Sequence, residues 1–263
     1  MHATERNRRI LELMADTGFV SFRQLEQAIE ASAATLRRDL KLLAKQGEIE
    51  RVHGGARLLK SAPADRPGQA LSGIPFHVNI HKNTDAKKAI GRAAAALCDP
   101  GEGVMIDGGS TTLQICPYID GKDLQILTNS LHLVSALLPQ KGTKVLVPSG
   151  AVFPEQNIIL SPSGEDSMPR FSATKLFMGA SAVGKDGPLQ DDVLLVAAER
   201  RLIERADQVI LLVDSSKFHK ASGVVICQLS DIYIVITDKG IAPESARMIQ
   251  DAGVDLIIAD PIS

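Results

Sequence analysis

Between residues 104 and 258, short aliphatic runs recur with helix-spaced stretches between them, and this alternation constrains the fold more than any other feature of the chain. The runs fall at 104–106, 126–127, 145–147, 175–180, 209–213, 232–236 and 256–258. Helical spacing is read at about 86–98, after 112, after 130, at 194–205 and at 243–252. Strands that short and that apolar are buried on both faces, and helical crossovers between them make a mostly parallel sheet. Aromatics are only 3% of the chain and tryptophan is absent, so the core must be aliphatic. At 263 residues the chain suffices for one large domain or two ordinary ones.

Ligands of parallel sheets bind beyond the carboxyl ends of the strands, and polar clusters gather at those ends. Asp107-Gly108-Gly109-Ser110-Thr111-Thr112 follows the first run and is expected to open a helix. Glycine lets the backbone approach a guest, unpaired N–H groups and the helix dipole favour an anion, and the hydroxyls add donors. Thr128-Asn129-Ser130 repeats the arrangement after the second run, Ser149-Gly150 follows the third, and Asp214-Ser215-Ser216-Lys217 follows a later one. Any single such turn more often caps a helix. Four at one rim point to a pocket for a phosphate, with Lys217 as its positive charge.

The first 60 residues have a different character. Residues 4–15 carry Ile10, Leu11, Leu13 and Met14 at helical spacing, closed by Asp16-Thr17-Gly18. Ser21-Phe22-Arg23-Gln24 has capping-box form and opens a second helix with Leu25, Ala28 and Ile29 inward. After the tight link Glu30-Ala31, Ser32 caps a third helix whose Leu36, Leu40 and Leu43 form the inner stripe. Thr35, Arg37, Arg38, Lys41 and Lys45 occupy the rest of its circumference. Two short extended runs around Gly54-Gly55 read as a hairpin, and Arg51, His53 and Arg57 lie on it. Three helices followed by such a wing make a helix-turn-helix unit that reads a DNA groove. The alternative is an ordinary helix with a solvated basic face. Charge favours DNA: residues 1–60 hold eleven Lys/Arg against eight Asp/Glu, while the rest holds eighteen against twenty-three. Affinity for phosphates follows that local excess, not the net −2 of the whole chain.

These motifs resemble the DeoR family of bacterial transcriptional regulators. Arg6, Ile10 and Met14, then Ser32, Thr35, Leu36, Arg37, Arg38, Asp39 and Leu40, match its N-terminal signature, and Val52-His53-Gly54-Gly55-Ala56 looks like its wing. Asp107 to Thr112, Leu127-Thr128-Asn129, Phe177-x-Gly179-Ala180 and Asp214-Ser215-Ser216-Lys217-Phe218 look like its effector domain, which is similar to ribose-phosphate isomerases. The resemblance implies a repressor of a sugar-related operon, released by a phosphorylated metabolite. It assigns phosphate to the turn 109–112 and places Asp107, Thr128, Asn129, Glu199 and Lys217 near the sugar. Many relatives carry Asp shortly before the Phe-x-Gly-Ala segment, where this chain has Thr174-Lys175. Leu160-Ser161-Pro162-Ser163-Gly164 is similar to the ascorbate-utilisation repressors of the group.

The expected organisation is a winged helix-turn-helix at 1–60, a linker or strap at 61–84 broken by Pro63, Pro67, Gly68, Gly73 and Pro75, and an α/β effector and oligomerisation domain at 85–263. Double-stranded operator DNA would be read by Ser32, Thr35, Arg37, Arg38, Lys41, Arg51, His53 and Arg57. A phosphorylated sugar or polyol would be held by Asp107, Gly108, Gly109, Ser110, Thr111, Thr112, Thr128, Asn129, Ser130, Gly150, Glu199 and Lys217. Paired half-sites call for a dimer or tetramer. No cofactor or metal is expected: Cys98, Cys116 and Cys227 are scattered and read as buried free thiols of a reducing compartment. His77 and His81 lie in the irregular strap, in solvated or structural roles. The chain shows neither a signal peptide nor an apolar run long enough to span a bilayer, so a cytoplasmic protein is expected. Two other classes remain open. A sugar-phosphate isomerase or hydrolase with an attached DNA-binding domain would use Asp107, Glu199 and Lys217 as acid and base, although no nucleophile–base pattern appears. An architectural DNA binder would need no pocket.

Overall fold

A computed structural model describes residues 3–15, 19–29, 31–45, 49–52, 55–58, 71, 73–161, 169–219 and 223–261. The chain divides into two compact units, Met1–Ala70 and Leu71–Ser263.

In the first unit the elements are α1 (Ala3–Ala15), β1 (Phe19–Ser21), α2 (Phe22–Ala28), α3 (Ala33–Lys45), β2 (Ile49–Val52) and β3 (Gly55–Leu58). Ile10 and Met14 of α1, Leu25 and Ile29 around α2, and Leu36, Leu40 and Leu43 of α3 meet in one buried cluster with Val20, Ile49 and Ala56. Each of the larger of these side chains contributes about 1.5–3 kcal/mol on leaving water. Ala28, expected inward, is exposed because α2 stops there and Ile29 turns to extended backbone. The capping box at α2 forms: Ser21 Oγ accepts from the Gln24 N–H at 3.2 Å and Gln24 Oε1 accepts from the Ser21 N–H at 2.9 Å. The hairpin β2–β3 is joined by β1, giving the antiparallel order β1-β3-β2. Three residues between two helices gave no periodicity from which β1 could be read. The helix stop at 16–18 and the link residue Glu30 lie outside the described residues.

The second unit opens with α4 (Phe76–Asn79) and α5 (Thr84–Ala95), then β4 (Gly103–Ile106), β5 (Gln125–Leu127), α6 (Leu131–Leu137), β6 (Lys144–Leu146), β7 (Ala151–Phe153), β8 (Ile158–Leu160) and β9 (Ala173–Met178). It continues with β10 (Ala182–Gly184), β11 (Gly187–Gln190), α7 (Val193–Ile203), β12 (Ala206–Leu212), β13 (Val224–Val225), β14 (Ile234–Asp238), α8 (Pro243–Asp251) and β15 (Asp255–Ala259). Seven strands form one sheet in the order β15-β14-β12-β9-β4-β5-β6, every neighbouring pair parallel. Strand alternation sends Ile106, Phe177, Ile210 and Ile236 to one core and Met105, Leu176, Leu211 and Val235 to the other. Helix α5 covers the first face through Ile90, while α7 and α8 cover the second through Val196, Leu202 and Ile249.

Three features depart from the expectation. Residues Thr112–Tyr118 form a 3-10 helix containing Pro117, not an α-helix. Proline has no N–H to extend an α-helical ladder, and a turn this short carries little dipole. Inside the long loop before β9 lies the hairpin β7–β8. Strands β10, β11 and β13 build a separate antiparallel sheet.

Within 61–84, residues 61–70 and 72 lie outside the described residues, and the remainder is ordered around buried Leu71 and Phe76. Leu71 packs with Phe153, Ile158, Leu160, Leu195 and Ala198. The Phe76 N–H donates to the Glu155 carbonyl at 3.0 Å, Gln156 Nε2 donates to the Ile74 carbonyl at 3.0 Å, and the Phe76 ring stacks on His132 with centroids 3.9 Å apart. His77 and His81 are exposed. No described helix is long and apolar enough to cross a membrane. Cys98 and Cys116 are buried free thiols and Cys227 is half-buried.

Candidate functional site

The parallel sheet runs outward from β4 to β5 and β6, then returns to β9 on the other side of β4 and continues to β12. The connections after β4 and β9 therefore diverge, and a crevice opens at the carboxyl ends of these strands. A cavity occupies it, lined by Asp107 to Thr111 after β4, Gly179 to Ser181 after β9, Leu212 at the end of β12 and Lys217 beyond it. Gln190, Asp191, Leu195 and Glu199 supply another wall. Gly73, Ile74, Phe76 and Asn79 of the strap, with Gln156 and Ile158 of the hairpin, close it.

Thus Asp107, Gly108, Gly109, Ser110, Thr111, Glu199 and Lys217 come together around one space. Thr112, Thr128, Asn129, Ser130 and Gly150 do not line it; they support it or serve the fold. Thr112 Oγ1 donates to the Asp107 carbonyl at 2.7 Å. Asn129 holds the turn from beneath: its Nδ2 donates to Asp107 Oδ1 at 3.1 Å and its Oδ1 accepts from the Gly108 N–H at 3.0 Å. Thr128 Oγ1 accepts from the Ser130 N–H, and Ser130 caps α6. Gly150 sits at φ 156°, where a Cβ would lie 2.3 Å from the Leu160 carbonyl oxygen. The hairpin therefore requires a glycine there. Gly108 is likewise needed for packing, since a Cβ there would meet Ile158 at 2.7 Å. Among the described residues, the amides of Gly109, Ser110 and Thr111 make no backbone hydrogen bond, which leaves them for an anion.

The electrostatics of the cavity are unusual. Asp107 is 5% exposed and Glu199 2%. Burial pushes the Asp107 carboxyl up to about 6 against the pull of its hydrogen bonds. Burial, and then the charge of Asp107, push Glu199 well above the usual carboxylate range. Glu199 Oε1 accepts from Gln190 Nε2 at 2.6 Å, while Oε2 is buried without a partner. Close to the cavity rim, Lys87 is only 1% exposed, and its ammonium donates to the carbonyl of Asn79. Burial lowers it to about 8, partly offset by Asp214. Asp214 itself is tied to Asn83 at 2.8 Å and to Ser216. Sequence reasoning missed Lys87, the strap, the hairpin, Ser181, Gln190 and Asp191. Only the break in periodicity at the strap hinted at any of them.

In the first unit, Ser32 Oγ accepts from the Thr35 N–H at 3.2 Å and meets the Thr35 hydroxyl at 2.8 Å. Arg37, Arg38 and Lys41 are exposed along α3. The Arg37 guanidinium lies over Phe22 of α2, 5.1 Å from the ring centroid, which holds it at the start of the exposed face. Asp39 points the other way and pairs with Arg6 of α1 at 2.8 Å. Arg51 and Arg57 lie on β2 and β3, and His53 lies outside the described residues. No group of His, Cys, Asp and Glu among the described residues is arranged to hold a metal.

Two family descriptions match this chain: the DeoR-like helix-turn-helix domain over residues 6–62 and the DeoR C terminal sensor domain over residues 82–239. The HTH-type transcriptional regulators UlaR of Shigella dysenteriae serotype 1 and of Shigella flexneri are each 30% identical over 257 residues, 98% of this chain and 99% of the relative. Among solved structures, a probable sor operon regulator from Shigella flexneri aligns with a TM-score of 0.43 at 11% identity, over 68% of this chain and 92% of that one. The ribose 5-phosphate isomerase of Methanocaldococcus jannaschii aligns with a TM-score of 0.38 at 16% identity, over 52% of this chain and 55% of that one.

Proposed function

The chain belongs to the DeoR family, and on that footing we propose that it represses a carbohydrate-utilisation operon and that a phosphorylated sugar or polyol in the second unit releases it. The observation that carries this reading is the cavity at the divergence of β4 and β9. There Gly109, Ser110 and Thr111 offer amides and hydroxyls to a phosphate, with Lys217 as a cation beside them. The first unit, taken as 1–60, reads double-stranded operator DNA through Thr35, Arg37 and Arg38, with Lys41, Arg51, His53 and Arg57 on phosphates. Residues 61–84 connect it to an effector and oligomerisation domain at 85–263, and a dimer or tetramer presents paired reading heads in the cytoplasm. An effector changes DNA affinity only by binding the DNA-competent and incompetent states unequally.

The test combines thermal shift with band shift. A phosphorylated sugar that binds the folded chain raises its melting temperature, and the same compound should abolish the operator band shift. Ser110→Asp and Lys217→Ala should remove both responses. Survival of the response in both variants means the pocket is misplaced.

One observation favours a second reading. Two carboxyls with displaced titration sit in one cavity, an arrangement suited to acid–base chemistry on a sugar phosphate. NMR of the chain incubated with aldose and ketose phosphates separates the readings: turnover at an enzymatic rate favours an isomerase.

A further inference from the structure

Three carboxyl groups line the cavity, those of Asp107, Asp191 and Glu199, and Lys217 is the one cation among its described lining residues. A phosphorylated guest brings more negative charge into this space. Unless a carboxyl carries a proton, the cavity repels the ligand its amides are arranged to hold.

The hydrogen bonds distinguish the three carboxyls. Gln190 Oε1 accepts from the Ser181 hydroxyl and from the Asp191 N–H. Its amide orientation follows from those donors, so its NH2 faces Glu199 and donates to Oε1. Glu199 Oε2 is then the oxygen left over, buried and without a partner. Among the described residues no cation is paired with it. Arg200, the next residue on α7, is engaged by the carbonyls of Val225 and Ile226. The other ionisable groups around Glu199 are Asp107 on the β4 turn, Asp191 at the end of β11, Lys217 across the cavity, and the Cys227 thiol, itself pushed up to about 12 by burial. Asp107 is satisfied by Asn129.

We propose that Glu199 meets the effector as a neutral carboxylic acid whose Oε2 hydroxyl donates to a hydroxyl or carbonyl oxygen of the guest, which makes it the residue that selects a polyoxygenated phosphate ester over phosphate alone. This rests on the reading of the cavity as the effector site. That hydroxyl is a buried donor with no acceptor among the described residues, and a guest oxygen supplies one. A phosphorylated guest in the cavity holds that proton more tightly, so binding releases no proton from Glu199 and weakens as pH rises through the range where Glu199 ionises.

Carboxyl NMR of full-length chain labelled at its glutamates, with Glu199→Gln to assign the signal, reads the proton directly. The signal of Glu199 should remain that of the acid at pH 7. An ionised Glu199 at pH 7 overturns the proposal. Thermal shift with inorganic phosphate and with ribose 5-phosphate tests the selection. Inorganic phosphate should stabilise the wild type and Glu199→Ala alike. Glu199→Gln keeps a donor where Glu199→Ala has none, so affinity for ribose 5-phosphate should be about tenfold lower in the alanine variant than in the glutamine variant. Equal affinities in the two variants overturn the proposal and leave the effector site standing. If phosphate stabilises the wild type and Ser110→Asp equally, the effector-site reading fails, whatever the state of Glu199.

Discussion

At the scale of single residues, the second unit concentrates its cost in a few buried charges. Asp107 is held by Asn129 yet titrates near 6, because burial outweighs the hydrogen bond. Its folded-state value lies above the ordinary 3.8, so the native state holds the proton more tightly than the unfolded chain. The stability this lends is complete below about pH 4 and is lost as pH rises through about 6. Asp107→Asn does not titrate and still accepts from Asn129. It should match the wild type near pH 4 and exceed it by about 1–3 kcal/mol at pH 8, read from denaturant midpoints at the two pH values. An unchanged difference between the two pH values assigns the linkage elsewhere. Asp107 and Lys217 were legible in the sequence because polar residues after strand ends have few structural reasons to be there, whereas Glu199 lies within α7 and was pointed to only by the family resemblance. Lys87 was not legible: a lysine on an amphipathic helix reads as solvated. Only the fold shows that the carbonyl it meets belongs to the last residue of α4.

Among the elements, α3 shows how much periodicity can tell. The spacing of Leu36, Leu40 and Leu43 placed its inner face, and the residues left over are the exposed Arg37, Arg38 and Lys41. Asp39 interrupts that basic face because it turns inward to Arg6, joining α3 to α1. Arg38→Ala should weaken operator binding by about 1–3 kcal/mol if the side chain grips a base edge in two places. In a quantitative band shift, an equal loss on operator and random duplex marks a phosphate contact instead. The strap is the opposite case. Its prolines and glycines concealed α4, which is too short to show a period. What orders it is remote in sequence: the Glu155 carbonyl, Gln156 and the ring of His132. The segment after β4 looked helical from its cap, and Pro117 limits it to a 3-10 helix.

For the whole molecule, the parallel sheet was legible and its additions were not. Buried strands announce themselves as aliphatic runs, whereas β10, β11 and β13 are two to four residues long and interrupted by Gly184, Gly187 and Pro188. The strand order was also beyond the sequence, and it is the reversal at β4 that decides where the crevice lies. The stacked ring of Phe76 in the wall of that crevice has a practical consequence. The chain contains no tryptophan, and its two tyrosines, Tyr118 and Tyr233, are 37% and 50% exposed. Ultraviolet emission from the native chain is therefore nearly blind to its interior. Phe76→Trp would install a solitary indole in that wall, and on the proposed reading its emission should shift when a phosphorylated sugar enters. A constant spectrum alongside a rise in melting temperature would mean the compound lodges elsewhere.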